Sequence, residues 1–369
     1  MTNAPPFASS GRGKIFLFGA MATIKLTIHV MLLCVLVSSA AAVARGQAEK
    51  NPPPEAQSAA ALKQAQSLLG AGKADEALTI LKSIPQSDLN RPQADYLSGL
   101  AHYQKGDYAR AAEYFLVATR QTNTATRQYQ QAVELLGMSY YFLGRIKEAI
   151  PHLEQVKAWA PGNVEMAYVL GNSYIRTQNP DGAREAFARM FAIAPDSASA
   201  YLINAQMMIR QQVEALAEKE LQKALELNPK LPQANFLLAE LAIYGAQIDR
   251  GIELLKNEIA INPAFGMAHY RLGEAYTRQL KWDEAIAPLQ KSIWLSPFFS
   301  GPYIVLGKVY LKKGDLPNAE SILRRALRMD PNNFNGHHLL AQVLQQANRV
   351  EEAKKEFELA DRLRTSSEK

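Results

Sequence analysis

The chain of 369 residues has one cysteine, few aromatic side chains and no strong excess of either charge. The single cysteine, Cys34, lies in an N-terminal apolar run, so the rest of the chain must be stabilised by packing without disulfides. The aromatic content of 8% and the many alanines favour helices. Half of the formal net charge of +6 comes from Arg12, Lys14 and Lys25. Nucleic-acid binding needs clustered positive charge, so this composition argues against nucleic acid as a partner.

The first 44 residues have the pattern of a secretory signal peptide. An apolar segment, residues 26–37, follows Lys25 and leads into small residues that end in Ala42-Val43-Ala44. A positive start, an apolar centre and an A-x-A end are the features of a cleaved export signal. We therefore predict cleavage before Arg45, with Met1 or Met21 as the start, and a periplasmic or secreted protein.

The residues leave an alternative open, which is an uncleaved membrane anchor. Residues 26–44 are close in length to the ~20 residues that span a bilayer. In that case the chain would be anchored to the membrane by this segment, and we expect membrane contact only through it. Residues 45–57 contain three consecutive prolines and predict a stiff linker to the rest of the chain.

Most of the chain after the linker repeats a unit of 34 residues. Prolines recur at this spacing, namely Pro161, Pro195, Pro229, Pro263, Pro297 and Pro331. Alignment on them predicts nine units over residues 58–365 and a short tail, 366–369, with unit starts at Ser58, Pro92, Gln130, Val164, Ala198, Pro232, Gly266, Ser300 and Phe334. The junction before the third unit is four residues longer, around Thr126 to Tyr129, and we expect these residues to loosen it.

Residue size is constant at three positions of the unit. Position 8 holds only glycine or alanine, for example Gly99, Gly137, Gly171 and Gly273. Position 20 is equally small, and position 24 is large and apolar, as in Phe115, Leu153, Phe187 and Leu289. This pattern predicts two antiparallel helices whose backbones approach at the small residues, with the large side chain filling the space beside them. Such a helix pair cannot bury its apolar face alone, so stacked pairs must form the core.

Turn residues separate the two predicted helices of many units. Gly72, Gly106, Gly144, Gly314 and Asn348 lie there, and these residue types adopt a left-handed backbone at low cost. The proline at position 32 would end the second helix.

These features resemble the tetratricopeptide repeat family, abbreviated TPR. The residues that carry the resemblance include Leu136-Gly137-x-x-Tyr140, Leu170-Gly171-x-x-Tyr174, Leu272-Gly273-x-x-Tyr276 and Leu306-Gly307-x-x-Tyr310. The resemblance implies an all-α fold, a right-handed superhelical solenoid of antiparallel helix pairs. It also implies a concave groove lined by the first helix of each unit.

Carried onto this sequence, the groove positions give candidate partner-binding residues. They are Tyr96, Tyr168, Asn172, Arg176, Gln206, Arg210, Phe236, Tyr270, Arg278 and Lys312. Tyrosine and arginine are common in binding hot spots, so an extended peptide with apolar anchors and some acidic groups would suit this surface. The alternative is that many residues at positions 5 and 12 pack against the neighbouring repeat. The carboxylate clamp of some TPR domains is not expected, because Asn172 stands alone and position 5 has no lysine.

No motif points to catalysis, a cofactor or a metal. No H-E-x-x-H, P-loop or G-x-S-x-G pattern occurs. The adjacent pair His337-His338 would point to different faces of a helix and could not readily share a metal. We therefore expect a protein that is not an enzyme.

The sequence favours a protein-interaction scaffold or assembly factor of the cell envelope, which binds proteins or extended peptides in the groove. Two alternatives remain open. The chain could be a membrane-tethered accessory subunit of an export or envelope complex, with residues 26–44 kept as the anchor. It could also be the regulatory arm of an enzyme complex.

Overall fold

The structure, a computed structural model, describes residues 54–367, so the predicted signal peptide or anchor, Cys34 and most of the linker lie outside the described residues. The described residues divide into two compact units, one that ends at Pro161 and one that begins at Gly162, called here the N-terminal and the C-terminal unit. Within residues 54–367 every regular element is a helix, which confirms the all-α prediction.

The described part of the N-terminal unit consists of α1 (Pro54–Gly70), α2 (Ala74–Lys82), α3 (Arg91–Gln104), α4 (Tyr108–Gln121), α5 (Arg127–Phe142) and α6 (Ile146–Trp159). The described part of the C-terminal unit consists of α7 (Val164–Arg176), α8 (Pro180–Met190), α9 (Ala198–Arg210), α10 (Glu214–Leu227), α11 (Ala234–Tyr244), α12 (Ile248–Ile261), α13 (Gly266–Arg278), α14 (Trp282–Leu295), α15 (Ser300–Lys312), α16 (Leu316–Met329), α17 (Phe334–Gln346) and α18 (Val350–Ser367). Each odd-numbered helix packs against the following even-numbered helix as a hairpin, and successive hairpins stack within each unit.

The small and large positions meet inside each hairpin as the sequence predicts. A Cβ atom on Gly99 of α3 would lie 2.7 Å from Phe115 Cε1 of α4, and a Cβ atom on Gly171 of α7 would lie 2.7 Å from Phe187 Cε1 of α8. The alanines at position 20 are also buried, for example Ala111 and Ala183. The two helices can therefore approach closely because position 8 carries at most a methyl group.

The turn inside each hairpin contains one residue with a positive φ. The predicted residues Gly72, Gly106, Gly144, Gly314 and Asn348 have φ angles of 73°, 75°, 75°, 77° and 60°. The same turn position is occupied by Gln178, Gln212, Ala246 and Leu280, with φ angles of 58°, 60°, 61° and 59°. The hairpin geometry thus imposes a left-handed backbone even on residues that disfavour it.

Polar side chains connect successive hairpins of the C-terminal unit at position 4. His269 Nε2 lies 3.0 Å from the carbonyl oxygen of Pro263, and His337 Nε2 lies 2.9 Å from that of Pro331. The Tyr303 hydroxyl donates to the carbonyl oxygen of Pro297 over 2.9 Å. In each case the carbonyl belongs to the turn that ends the preceding hairpin, so these bonds connect that turn to the first helix of the next hairpin.

The four extra residues before α5 do not form a loose junction. The Thr126 side chain accepts a hydrogen bond from the Tyr129 backbone N–H and caps the helix that begins at Arg127. The helix α5 has 16 residues, whereas α7 and α9 have 13 each. The insertion therefore lengthens α5 by about one turn, and the expectation that it loosens the junction was wrong.

Candidate protein-interaction surface

The predicted partner-binding residues all lie on the first helices of hairpins. Tyr96 lies on α3 of the N-terminal unit. The others belong to the C-terminal unit and lie on α7 (Tyr168, Asn172, Arg176), α9 (Gln206, Arg210), α11 (Phe236), α13 (Tyr270, Arg278) and α15 (Lys312). The structure divides them into residues that pack within the fold and residues that face solvent.

Most of the predicted aromatic residues pack inside the fold. The Phe236 ring lies 4.9 Å from the Phe265 ring, and the Tyr270 ring lies 5.2 Å from the Phe299 ring, both in edge-on contact. Phe265 and Phe299 directly precede the next first helix, so these contacts join neighbouring hairpins. Burial raises the pKa of Tyr270 to about 12. These rings contribute more to stacking than to a ligand-binding floor.

The other two aromatic residues differ in exposure. Tyr96 is buried, and its hydroxyl donates to Gln131 Oε1 over 2.9 Å. Burial raises the pKa of the Tyr96 hydroxyl above its usual range. Tyr168 is 37% exposed, and its ring contacts Phe187 at 6.4 Å. Of the four predicted aromatic residues, Tyr168 is thus the one whose ring a partner could reach most readily.

The predicted amide residues connect helices of the C-terminal unit. Asn172 is buried, donates to the Tyr168 backbone carbonyl over 2.9 Å and accepts from Gln211 Nε2 over 2.5 Å. Gln206 Nε2 lies 3.5 Å from Gln233 Oε1, at the limit of a hydrogen bond. Asn172 therefore holds α7 to the turn after α9.

The predicted cationic residues are exposed, and they share one place in their hairpins. Each is the last residue of its helix: Arg176 of α7, Arg210 of α9, Arg278 of α13 and Lys312 of α15. A cation at this end is favoured by the helix dipole. We call these four residues the cationic row. The last residue of α11 is Tyr244, so α11 alone among these five helices ends in a neutral side chain.

Next to Tyr244 lies a group of carboxylates and guanidinium groups that no sequence motif predicted. Arg271 Nη2 lies 3.1 Å from Glu240 Oε2, and Arg271 Nη1 lies 2.8 Å from Glu274 Oε2. Arg278 Nη2 lies 3.6 Å from Glu274 Oε1. Burial raises the pKa of Glu240, which Arg271 partly offsets. Arg278 of the cationic row is therefore partly neutralised by Glu274.

These groups border a cavity of about 400 Å³, which we call the α11–α13 cavity. It lies between the end of α9, the start of α10, and the helices α11 and α13 of the C-terminal unit. Its lining residues are Ile209, Glu214, Glu240, Leu241, Ile243, Tyr244, Arg271, Glu274 and Arg278. The sequence contained a signal for this cavity, because Glu240 and Glu274 occupy the same position of successive 34-residue repeats.

Residues 54–367 contain no group of three or more His, Cys, Asp or Glu side chains placed to hold a metal ion. The imidazole nitrogens of His337 are both engaged, Nδ1 with Glu356 Oε2 at 2.6 Å and Nε2 with the Pro331 carbonyl. Over the same part of the chain, no helix combines the length and the apolar character that crossing a membrane requires.

Comparison with known proteins connects the hairpin array to one family. Two family models described as tetratricopeptide repeat match the chain, one over residues 143–206 and 310–366 and the other over residues 62–126 and 236–298. Together these matches cover more than half of the chain. A curated relative, "Protein CTR9 homolog" of Arabidopsis thaliana, is 25% identical over 109 residues, which are 30% of this chain and only 10% of that protein.

Two solved structures are distantly similar. "MamA 41-end from Desulfovibrio magneticus RS-1" has a TM-score of 0.44 and 18% identity, over 47% of this chain and 98% of that chain. The APC/C hetero-tetramer Cut9-Hcn1 has a TM-score of 0.41 and 18% identity, over 79% of this chain and 57% of that chain. At such low TM-scores these structures carry no argument about function, and the family assignment depends on the sequence models.

Proposed function

The chain belongs to the tetratricopeptide repeat family, and we propose that it is a non-catalytic scaffold or assembly factor of the cell envelope. In this proposal residues 58–365 form nine TPR units that hold partner proteins or extended peptides along their first helices. The observation that carries it is the cationic row, because four first helices of the C-terminal unit each end in an exposed cation. Repeated exposed charges can steer a complementary partner and select it.

The interaction surface is tested by removing the cationic row. We expect the quadruple variant Arg176→Gln, Arg210→Gln, Arg278→Gln and Lys312→Gln to lose specific partners in affinity capture and crosslinking from an envelope extract. The matched control removes four exposed cations from second helices instead, at Lys219, Arg328, Lys354 and Lys355. Equal recovery of every partner by the wild type and both variants would contradict the first-helix surface.

The location is tested separately from the interaction. Sequencing of the mature N terminus is expected to give a start near Arg45 and an exported protein. A retained segment 26–44 that resists carbonate extraction would instead favour the membrane-tethered accessory subunit, which binds partners in the same way. A chain found in the cytoplasm would contradict both forms of the proposal.

A further inference from the structure

The α11–α13 cavity contains one more carboxylate than guanidinium groups. Its lining includes Glu214, Glu240 and Glu274 on the acidic side and Arg271 and Arg278 on the basic side. Arg271 bridges Glu240 and Glu274, and Arg278 also faces Glu274, so these four residues balance each other. Among the hydrogen bonds and ion pairs found in residues 54–367, none involves the Glu214 side chain. The cavity therefore has a surplus negative charge at Glu214.

The place of Glu214 in the fold suits a carboxylate. It is the first residue of α10, where the positive end of the helix dipole favours a carboxylate. The neighbouring Glu240 is half-buried, and that burial raises its pKa. An anionic ligand in the cavity would be repelled by three carboxylates. A cationic ligand would be attracted by the Glu214 carboxylate, which no cation of the cavity pairs with.

The rest of the cavity suits the long alkyl part of a basic side chain. Ile209, Leu241 and Ile243 provide an aliphatic wall, and all three are half-buried. The Tyr244 ring borders the same space and is 85% exposed, so its face is open to a ligand. Lysine and arginine pack their methylene groups on apolar surface, and their charged heads bind aromatic faces.

The gap in the cationic row at α11 also favours a cationic ligand. Of the helices α7, α9, α11, α13 and α15, only α11 ends without a cation, and Tyr244 takes that place. A cation at this position would lie at the cavity and would neutralise its surplus charge. Because Tyr244 is neutral, a positive group of a ligand can bind at this position.

We propose that the α11–α13 cavity binds an arginine or lysine side chain of a partner peptide. The methylene groups lie against Ile209, Leu241 and Ile243, and the charged head faces the Glu214 carboxylate and the Tyr244 ring. This inference rests on the proposed scaffold function and names the chemistry of one anchor residue in the partner. It differs from the expectation of purely apolar and acidic anchors, which the arginines of the row suggested.

A methyl NMR titration of the chain tests the proposal without a known partner. The probe is N-acetyl-arginine methylamide, and the neutral isostere N-acetyl-citrulline methylamide is its control. We expect the arginine probe to shift the methyl signals of Ile209 and Ile243, and the citrulline probe to bind about tenfold more weakly. Equal binding of the two probes, or tighter binding of N-acetyl-glutamate methylamide, would overturn the proposal.

Variants then identify the groups that recognise the charge. Glu214→Gln should remove most of the preference for arginine over citrulline, and Tyr244→Leu should weaken the binding of both probes. The control Glu253→Gln removes an exposed carboxylate from α12 and should leave binding unchanged. If Glu214→Gln binds arginine as tightly as the wild type, the cavity does not recognise the cation as proposed.

The outcomes separate this inference from the scaffold function. Because Arg278 also lines the cavity, the comparison uses the triple variant Arg176→Gln, Arg210→Gln and Lys312→Gln. Loss of partners in this variant, together with no arginine binding in the cavity of the wild type, supports the scaffold function and overturns the anchor. Arginine binding in the cavity, together with unchanged partner recovery by both the triple and the Glu214→Gln variants, identifies a side-chain site that the partners do not use.

Discussion

The N-terminal and C-terminal units are built from the same hairpin, but different contacts stabilise the packing between their helices. In the N-terminal unit, aromatic rings of α3, α4 and α5 form a chain of contacts. The Tyr103 ring lies 6.5 Å from Phe115 and 6.3 Å from Phe142, and Tyr108 stacks on Phe142 at 4.7 Å. The small and large residues within a hairpin determine its geometry, whereas the kind of side-chain contact between hairpins can vary.

In the C-terminal unit, buried carboxylates take a larger part. Glu220 is buried and accepts from Asn204 Nδ2 over 2.6 Å and from Arg184 Nη1 over 3.2 Å. Glu258 is fully buried and accepts from the backbone N–H groups of Gln233 over 2.8 Å and Phe236 over 3.4 Å, which begin α11. Such groups are specific in geometry but sensitive to the loss of a partner and to pH.

We expect the largest effect on the free energy of unfolding from removal of the Phe115 ring, which lies at the centre of the aromatic contacts. Phe115 is fully buried and contacts both Tyr96 and Tyr103. We expect Phe115→Ala to lower the free energy of unfolding by about 3–5 kcal/mol, because it removes a buried ring and leaves a cavity. Urea unfolding gives the total, and hydrogen exchange should show the largest increase in α3, α4 and α5.

The matched control is Phe187→Ala in the C-terminal unit, where the corresponding ring contacts Tyr168 rather than a chain of rings. Its effect should lie at the lower end of the same range. A larger loss for Phe187→Ala than for Phe115→Ala would break the distinction between the two units.

The next effect is expected at a buried ion pair of the C-terminal unit. The Arg184 guanidinium contacts Asp181 at 2.7 Å, Glu220 at 3.2 Å and the Tyr201 ring at 4.1 Å. Arg184→Met keeps the alkyl stem but leaves Glu220 buried with Asn204 alone, so we expect a loss of about 2 kcal/mol in urea unfolding.

The control for this prediction is Arg189→Met, which removes a more exposed pair with Glu185 and should cost about 0.5 kcal/mol or less. Combining Arg184→Met with Glu220→Gln should recover part of the loss, because no buried charge is then left unpaired, and the exposed Asp181 is solvated by water. No recovery in the double variant would mean that Arg184 acts through packing alone.

The pattern of small and large residues was sufficient to predict the hairpins. Small residues at a fixed spacing mark where two helices approach closely, and the large residue fills the space beside them. The partners of Phe236 and Tyr270 were not predicted, since these are Phe265 and Phe299, which precede the next helix. Those two phenylalanines are 34 residues apart, so the sequence contained a signal for this contact. The bridging role of Arg271 could not be predicted, because it depends on the distance between two neighbouring hairpins.

A third prediction concerns the turns, which also differ between the units. Inside its three described hairpins, the N-terminal unit has glycine at the positive-φ position of the turn, whereas Leu280 has a φ of 59° at that position in the C-terminal unit. Leu280→Gly should stabilise the chain by about 1 kcal/mol or somewhat less, because relief of strain exceeds the added entropy of the unfolded chain. Leu280 is 69% exposed, so little packing is lost.

Thermal unfolding measures this gain. The control is Leu89→Gly in the N-terminal unit, where an 80% exposed leucine lies in a turn and is not among the residues with positive φ. Leu89→Gly should be neutral or destabilising. If both variants are destabilised alike, the left-handed turns of the C-terminal unit are not strained.

The smallest effect is a dependence of stability on pH at Glu258. Burial raises the pKa of this carboxyl group, and hydrogen bonds from the Gln233 and Phe236 backbones offset only part of the rise. The folded chain therefore binds this proton more tightly than the unfolded chain, and the contribution of Glu258 to stability falls as pH rises above the unfolded pKa. From about pH 4 to about pH 7, the wild type should lose stability relative to Glu258→Gln.

Urea unfolding of both proteins across this range checks the sign, and any constant loss from the substitution cancels in the comparison. Glu352 is the matched control, since a hydrogen bond from Arg349 lowers the pKa of its carboxyl group. Its lowered pKa places the change at lower pH, so this comparison extends down to about pH 3. The wild type should gain stability relative to Glu352→Gln as pH rises towards the unfolded pKa of about 4.3, and should change little above about pH 5. The same sign for both variants would show that burial does not govern the Glu258 proton, and that the buried carboxylates of the C-terminal unit behave like its surface pairs.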